Sequence, residues 1–226
     1  MLRCRLCHSV TTPFFEQSLR NYEMCTQCSL IQLRRSQCPS PEEEKKEYML
    51  HNNDPYDPRY RRFLEGVTQA MTTWLTKEQR VSPHILDFGS GTAPAISVVL
   101  GEQGWSVYNY DPLFSPDKKN IQRKYDLISS TEVVEHFYEP KVSWDSLFSL
   151  LKKDGCLVIM TQISDHHCVP ETFGQWRYIR EKSHVAFYHT KTMQWLAQKY
   201  EMQLSILSKN IFWFSKDNSH KYFFET

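Results

Sequence analysis

Apolar and polar positions along the chain fall into blocks whose spacing predicts helices and strands in turn. The clearest block is 57–77, where Phe63, Leu64, Val67, Ala70, Met71, Trp74 and Leu75 recur at three- and four-residue intervals. That is the spacing of one face of an amphipathic helix, and the stripe reads as core. Upstream, Ser40-Pro41-Glu42-Glu43 supplies an N-cap, a proline for the first turn and acids behind it, so a helix starts near residue 40. Downstream, Ile85 and Leu86 close a strand, 95–100 is an apolar helix, and 108–110 and 125–130 read as further strands. Residues 142–152 predict a helix closed by Asp154-Gly155, and the unbroken run CLVIMT at 156–161 predicts a strand buried on both faces. The stretch 162–183 shows no clear period. A helix at 191–200 and a hairpin from 205–207 and 211–214 complete the pattern.

Candidate chemistry begins where the first strand of the main fold ends. Asp87 is followed by Gly89 and Gly91, one residue apart, and then by the 95–100 helix. A strand that feeds a helix through glycines lets backbone N–H groups approach a ligand closely. The acid at the strand end suits a ligand with an amine better than a pyrophosphate. Twenty-four residues on, Asp111 ends the 108–110 strand, where a carboxylate can hold two ribose hydroxyls. The 126–131 segment should end at the carboxyl edge of the sheet, so that Thr131 and Glu132 face the same ligand. Glu135 and His136 then start the next helix at the pocket rim. His136 has the ordinary pKa of a general base, and it equally suits a helix cap or a carboxylate partner.

At the N-terminus, Cys4-x2-Cys7 and Cys25-x2-Cys28 lie seventeen residues apart, the spacing of a four-thiolate zinc ribbon. With four sulfurs the ion has no open position, so its role should be structural. His8 reads as a neighbour, not a ligand. The other cysteines, Cys38, Cys156 and Cys168, are scattered, which fits a reduced cytoplasmic protein better than a disulfide framework. Composition narrows the picture further. A net charge of +1 over 226 residues gives no global field for nucleic acid, although local patches can still bind it. No stretch approaches the ~20 apolar residues of a membrane span, and the start lacks the apolar run of a secretion signal.

Taken in order, Asp87-Phe-Gly-Ser-Gly-Thr92, Asp111-Pro112, Tyr125-Asp-Leu-Ile128 and Glu132-Val-Val-Glu-His136 resemble successive motifs of class I S-adenosylmethionine (SAM) dependent methyltransferases of the type 11/12/23-like bacterial kind. So do Leu151-Lys-Lys-Asp-Gly155 and His184-Val-Ala-Phe-Tyr188, and the resemblance spans 48–216. The cysteine pattern also resembles N-terminal zinc modules of some sugar and ribosomal-RNA methyltransferases. The resemblance implies an α/β, Rossmann-like sandwich: a mostly parallel, seven-strand-type sheet ending in an antiparallel strand, with a small N-terminal zinc ribbon. It implies a zinc ribbon at 1–38, a linker and helical segment covering the cofactor at 39–80, and the methyltransferase domain at 81–226. It implies SAM held by His51, Asp87, Gly89, Ser90, Gly91, Thr92, Asp111, Pro112, Thr131 and Glu132, with His136 and His184 as catalytic bases. The family usually carries a full helix, another strand and an adenine-reading acid after the second strand. Here only 112–124 fills that interval, which leaves adenine recognition unassigned.

The acceptor is open at this level. A small molecule, such as a sugar or quinol-like ring, could sit among Trp176, Tyr178 and Phe187 near the 162–188 loop. RNA could instead be held by Arg3, Arg5, Arg20, Arg34 and Arg35 around the ribbon. A third reading is a non-catalytic zinc-binding scaffold whose cofactor pocket has decayed.

Overall fold

A computed structural model describes residues 2–49, 53–217 and 223. Its strands in chain order are β1 (Thr11–Gln17), β2 (Arg20–Cys25), β3 (Ile31–Leu33), β4 (Ile85–Phe88), β5 (Val107–Tyr110), β6 (Tyr125–Thr131), β7 (Leu151–Met160), β8 (Ala186–Phe187), β9 (Gln203–Ser208) and β10 (Ile211–Ser215). The helices are α1 (Pro41–Tyr48), α2 (Pro58–Lys77), α3 (Ala95–Gly101), α4 (Pro140–Ser149), α5 (Pro170–Gln175) and α6 (Thr190–Lys199). They fall into two compact units. One comprises Met1–His51, Glu132–Ser146 and Thr161–Lys199; the other comprises Asn52–Thr131, Leu147–Met160 and Tyr200–Thr226.

The second unit carries a six-stranded sheet in the order β5-β4-β6-β7-β10-β9. The first four strands run parallel, and β10 is antiparallel to both β7 and β9. The sheet has six strands because 112–124 is taken up by a turn closed by the Asp111–Ser115 bridge and by a 3-10 turn at Lys118–Ile121. From β4 the chain passes first to one neighbour, β5, and then to the other, β6. The carboxyl end of β4 is therefore the point where strand order reverses, the place where open α/β sheets bind ligands.

Helix α2 forms where its periodicity predicts. Asp57 caps it, accepting from the Arg59 N–H at 2.8 Å, and Pro58 occupies the first turn. Its apolar stripe joins Ile85, Leu127, Cys156, Val158, Met160, Ile211 and Trp213 in one core. Gly66 lets it approach β10 closely, since a Cβ there would lie 2.6 Å from Ile211 Cδ1. Leu157 and Ile159 alternate to the other face of β7 and are equally buried, so both faces of that strand are covered.

The first unit is built on the antiparallel sheet β1-β2-β3-β8. Its fourth strand comes from more than 150 residues downstream, with Ile31 opposite Phe187 and Gln32 opposite Ala186. Phe14, Phe15, Tyr22, Phe173, Trp176, Tyr178 and Phe187 pack together beside that sheet.

Two boundaries differ from the expected pattern. Strand β7 starts at Leu151, so residues 151–155 extend the strand and do not close a helix. Glu135 and His136 lie in a separate 3-10 turn, Val134–His136, ahead of α4. Pro140 sets that later start, because proline favours the first turn of a helix.

Candidate active site

The turn after β4 is shaped by two glycines in left-handed conformation, Gly89 at φ 79° and Gly91 at φ 63°. The Gly89 and Ser90 N–H groups both donate to the Tyr110 carbonyl, at 2.7 and 3.2 Å, tying the turn to the end of β5. Asp111 completes the lock: Oδ2 accepts from the Gly91 N–H at 3.0 Å, and Oδ1 accepts from Leu113 and Phe114 N–H at 2.8 and 3.0 Å. Asp87 is buried and accepts from the Ser129 hydroxyl at 2.9 Å. Burial pushes its carboxyl up to about 7, and the Asp111 charge adds to the rise.

Three observations fit this turn to SAM. The Ser90 and Ser130 hydroxyls are buried without a partner. A Cβ on Gly91 would meet nothing within 4 Å, so open space lies beside the turn. Two carboxylates stand at neighbouring strand ends, able to meet an ammonium group and a diol. Thr92 and Pro112 are exposed at the lips of the two turns, and Thr131 is half-buried at the end of β6. His51, expected beside the cofactor, lies outside the described residues.

In the first unit, 132–136 and 161–184 bring a second set of groups together. Glu135, His136 and His184 are all buried, and their potential ligand atoms lie within 4.8 Å of one another. Tyr178 OH donates to Glu135 Oε1 and lies 3.1 Å from Glu132 Oε2; Thr161 Oγ1 donates to Glu135 Oε2 at 2.9 Å. Glu132 is strained, with φ 51°, and its Oε1 is buried without a hydrogen-bond partner. Among the described residues neither Glu132 nor Glu135 meets a lysine or arginine. Burial, with the Glu135 charge alongside, pushes Glu132 up to about 9, and burial raises Glu135 and Tyr178 as well.

The two imidazoles have defined tautomers. His136 Nδ1 lies 3.1 Å from the Ser183 carbonyl, and His184 Nδ1 lies 2.7 Å from the Tyr178 carbonyl. A carbonyl only accepts, so each Nδ1 carries the proton and each Nε2, in the neutral ring, carries a lone pair. His184 Nε2 is 3.4 Å from Glu181 Oε2.

Glu135 stands out least in the sequence, because it sits among Val133, Val134 and Phe137 and reads as one acid in a helix start. Tyr178 reads there as an acceptor-stacking ring. Its hydroxyl bridges two acids while its ring packs against Trp176, which itself stacks on His167 at 4.5 Å.

The four cysteines converge on matched knuckles. Cys4 N–H donates to the Ser9 carbonyl and Cys25 N–H to the Leu30 carbonyl; His8 N–H returns to Cys4 and Ser29 N–H to Cys25. His8 and Ser29 take the same left-handed corner, both at φ 62°, and His8 is exposed, outside the sulfur cluster. The Sγ atoms of Cys4 and Cys28 lie 3.7 Å apart and those of Cys7 and Cys25 3.3 Å apart. Both separations exceed the ~2.05 Å of a disulfide. They approach the roughly 3.8 Å between sulfurs that tetrahedral bonds of about 2.3 Å to zinc would set.

A mostly parallel sheet with an acid–glycine turn at its reversal point is the arrangement expected of a class I SAM-dependent methyltransferase. The family model described as "Methyltransferase domain" matches residues 56–205, and the chain belongs to that family. It is a methyltransferase that uses SAM. No curated protein matches the chain. Solved structures similar to it include magnesium protoporphyrin IX methyltransferase from Synechocystis PCC 6803 with bound SAH, at 13% identity and TM-score 0.48, covering 78% of this chain and 94% of that one. Another is a SAM-dependent methyltransferase from Thermotoga maritima, at 11% identity and TM-score 0.42, covering 72% and 96%. No described helix is long and apolar enough to cross a membrane.

Proposed function

We propose that the enzyme methylates a small, neutral, hydroxyl-bearing acceptor of the sugar or quinol type. The observation that carries this reading is the engagement of the N-terminal arginines. Arg5 donates to the carbonyls of Tyr138, Leu33 and Val185, the last two at 3.1 and 2.9 Å. Arg20 donates to those of Lys182 and His184, at 3.2 and 2.8 Å. Arg34 pairs with Glu23, Arg35 with Glu139, and Arg3 donates to the His8 carbonyl. Side chains turned to the protein's own carbonyls and acids are poorly disposed to bind phosphates.

The cofactor role goes to the β4 turn, with Asp87 at the methionine end, Asp111 at the ribose diol, and Gly89, Ser90, Gly91, Thr92, Pro112 and Thr131 around it. Bound there, SAM supplies a methyl group on a sulfonium, already a good donor. His136 and His184, whose neutral rings each carry an Nε2 lone pair, would take the proton that a hydroxyl acceptor gives up on methylation. Glu132 and Glu135 orient the acceptor. Cys4, Cys7, Cys25 and Cys28 hold one structural zinc. Thr192 Oγ1 donates to the Cys28 carbonyl at 2.8 Å, and Leu33 N–H to that of Val185 at 3.0 Å, so the metal would brace the segment that carries His184. In this reading 1–38 serves as the ribbon, 39–80 as a covering segment and 81–226 as the transferase, in a reducing cytoplasm. The test is to incubate the protein with methyl-labelled SAM and, in parallel, total RNA and an RNA-free small-molecule extract. Label in the small-molecule fraction is expected; label confined to RNA would overturn the reading.

A further inference from the structure

We propose that Glu135, His136 and His184 form a binding site for a divalent transition-metal ion, separate from the four cysteines. The donor set is two imidazoles and one carboxylate, a combination that binds such ions on one face and leaves further positions open. Three features of the cluster favour an ion over a set of side chains that merely satisfy one another.

The first is orientation. Both histidines direct Nδ1–H to backbone carbonyls, of Ser183 at 3.1 Å and Tyr178 at 2.7 Å, and this fixes Nε2 as the electron-pair donor. Metal-bound histidines are held in this way, by a carbonyl or carboxylate on the second nitrogen. The carboxylate is held too, by Tyr178 and Thr161, which fixes its orientation as those of the ligand rings are fixed. The second is spacing. One ring nitrogen of each histidine and a Glu135 oxygen lie within 4.8 Å of one another, so shifts of under about 1 Å each would bring three ligands to bonds of about 2.0–2.2 Å on a common centre. The third is charge. Glu132, Glu135 and Glu181 crowd two imidazoles, and neither Glu132 nor Glu135 has a cationic side chain against it among the described residues. Glu132, joined to Glu135 through the Tyr178 hydroxyl, holds a buried Oε1 without a hydrogen-bond partner at the cost of a left-handed backbone. Glu181, 3.4 Å from His184 Nε2, is the group an ion would displace.

The inference deepens the acceptor reading and rests on it. With the ion bound both Nε2 lone pairs would be ligands, and a hydroxyl at an open position would lose its proton more readily, to Glu181, the carboxylate that the ion displaces.

Manganese(II) is the probe, because it favours nitrogen and oxygen ligands and leaves a thiolate site to zinc. The zinc-loaded full chain is titrated with Mn(II) and free ion is followed by electron paramagnetic resonance, with SAM affinity measured on the same samples. The expected result is one Mn(II) per chain with a dissociation constant tighter than about 100 µM, and pulsed spectra showing nitrogen couplings from two imidazoles. His184→Ala and Glu135→Gln should each weaken it by at least about a hundredfold, more than loss of an outer partner would, with SAM affinity kept. No binding to the native protein at millimolar Mn(II), or bound Mn(II) without imidazole coupling, overturns the proposal. If SAM still binds in that case, the methyltransferase reading stands and the imidazoles remain direct proton acceptors. Loss of SAM binding in the native protein would strike at that reading instead.

Discussion

The β4 turn and the acid–histidine cluster are both candidate ligand sites, yet they are built on opposite principles. The turn is made by backbone from two neighbouring strand ends. Left-handed glycines, the Tyr110 carbonyl and one aspartate fix it, so its shape follows from a few consecutive residues. The cluster is made by side chains from 132–136, 161 and 178–184, and its one strained backbone position, Glu132, is not a glycine. A site built from backbone tolerates sequence change around it and can serve one cofactor across a family. A site built from side chains is where the acceptor of one particular enzyme is specified.

If that division holds, zinc removal has the largest consequence, and it falls on one side only. Cys25→Ser should lose the metal and with it amide exchange protection across β1–β3, since structural zinc contributes about 10–16 kcal/mol in small modules. Protection in β4 and β6 should be unchanged. Hydrogen-exchange mass spectrometry reads both, and retained protection in β1–β3 would show that the sheet stands without metal.

Next in size is the cofactor anchor. Asp111→Ala should weaken SAM binding roughly ten- to a hundredfold, by removing charge-assisted hydrogen bonds of about 1.5–3 kcal/mol. Calorimetry giving an unchanged affinity would remove Asp111 from the site.

A smaller effect is set by Asp87, whose carboxyl is raised to about 7. Between the usual carboxylate range and pH 7 the folded state keeps a proton that the unfolded chain has released. Stability of the ligand-free protein should therefore fall as pH rises through that window. A cationic ligand favours the ionised form, so SAM affinity should rise with pH toward 7 and a proton should leave on binding at pH 6. Titrations in two buffers of different ionisation enthalpy should give different heats, and Asp87→Asn should abolish the difference. Equal heats in the native protein would contradict the role.

The smallest pair tests the backbone contrast itself. Gly91→Ala should destabilise by about 1 kcal/mol, and Glu132→Gly should stabilise by a similar amount, since a left-handed side-chain-bearing residue is strained. Thermal melts of the two variants should move in opposite directions.

What the sequence revealed follows the same division. Local signals were readable: the α2 stripe, the Ser40 cap of α1, the paired cysteines, and the acid–glycine turn each depend on residues close in the chain. Pairing of β3 with β8 was not, because two residues carry no strand pattern and their partner lies some 155 positions away. Nor was the bridge from Tyr178 to Glu132 and Glu135, which depends on how a non-periodic loop folds. The strand at 151–155 was masked by its lysines and glycine, residues that look like the end of a helix.

The most direct test of the division is to measure SAM occupancy and methyl transfer in one tube, for native protein and His184→Ala, using the small-molecule extract as acceptor. Occupancy should stay within about twofold while transfer falls about a hundredfold or more, the usual worth of a group acting on a proton. Transfer that survives with occupancy unchanged would contradict the account and place the acceptor chemistry elsewhere in the chain.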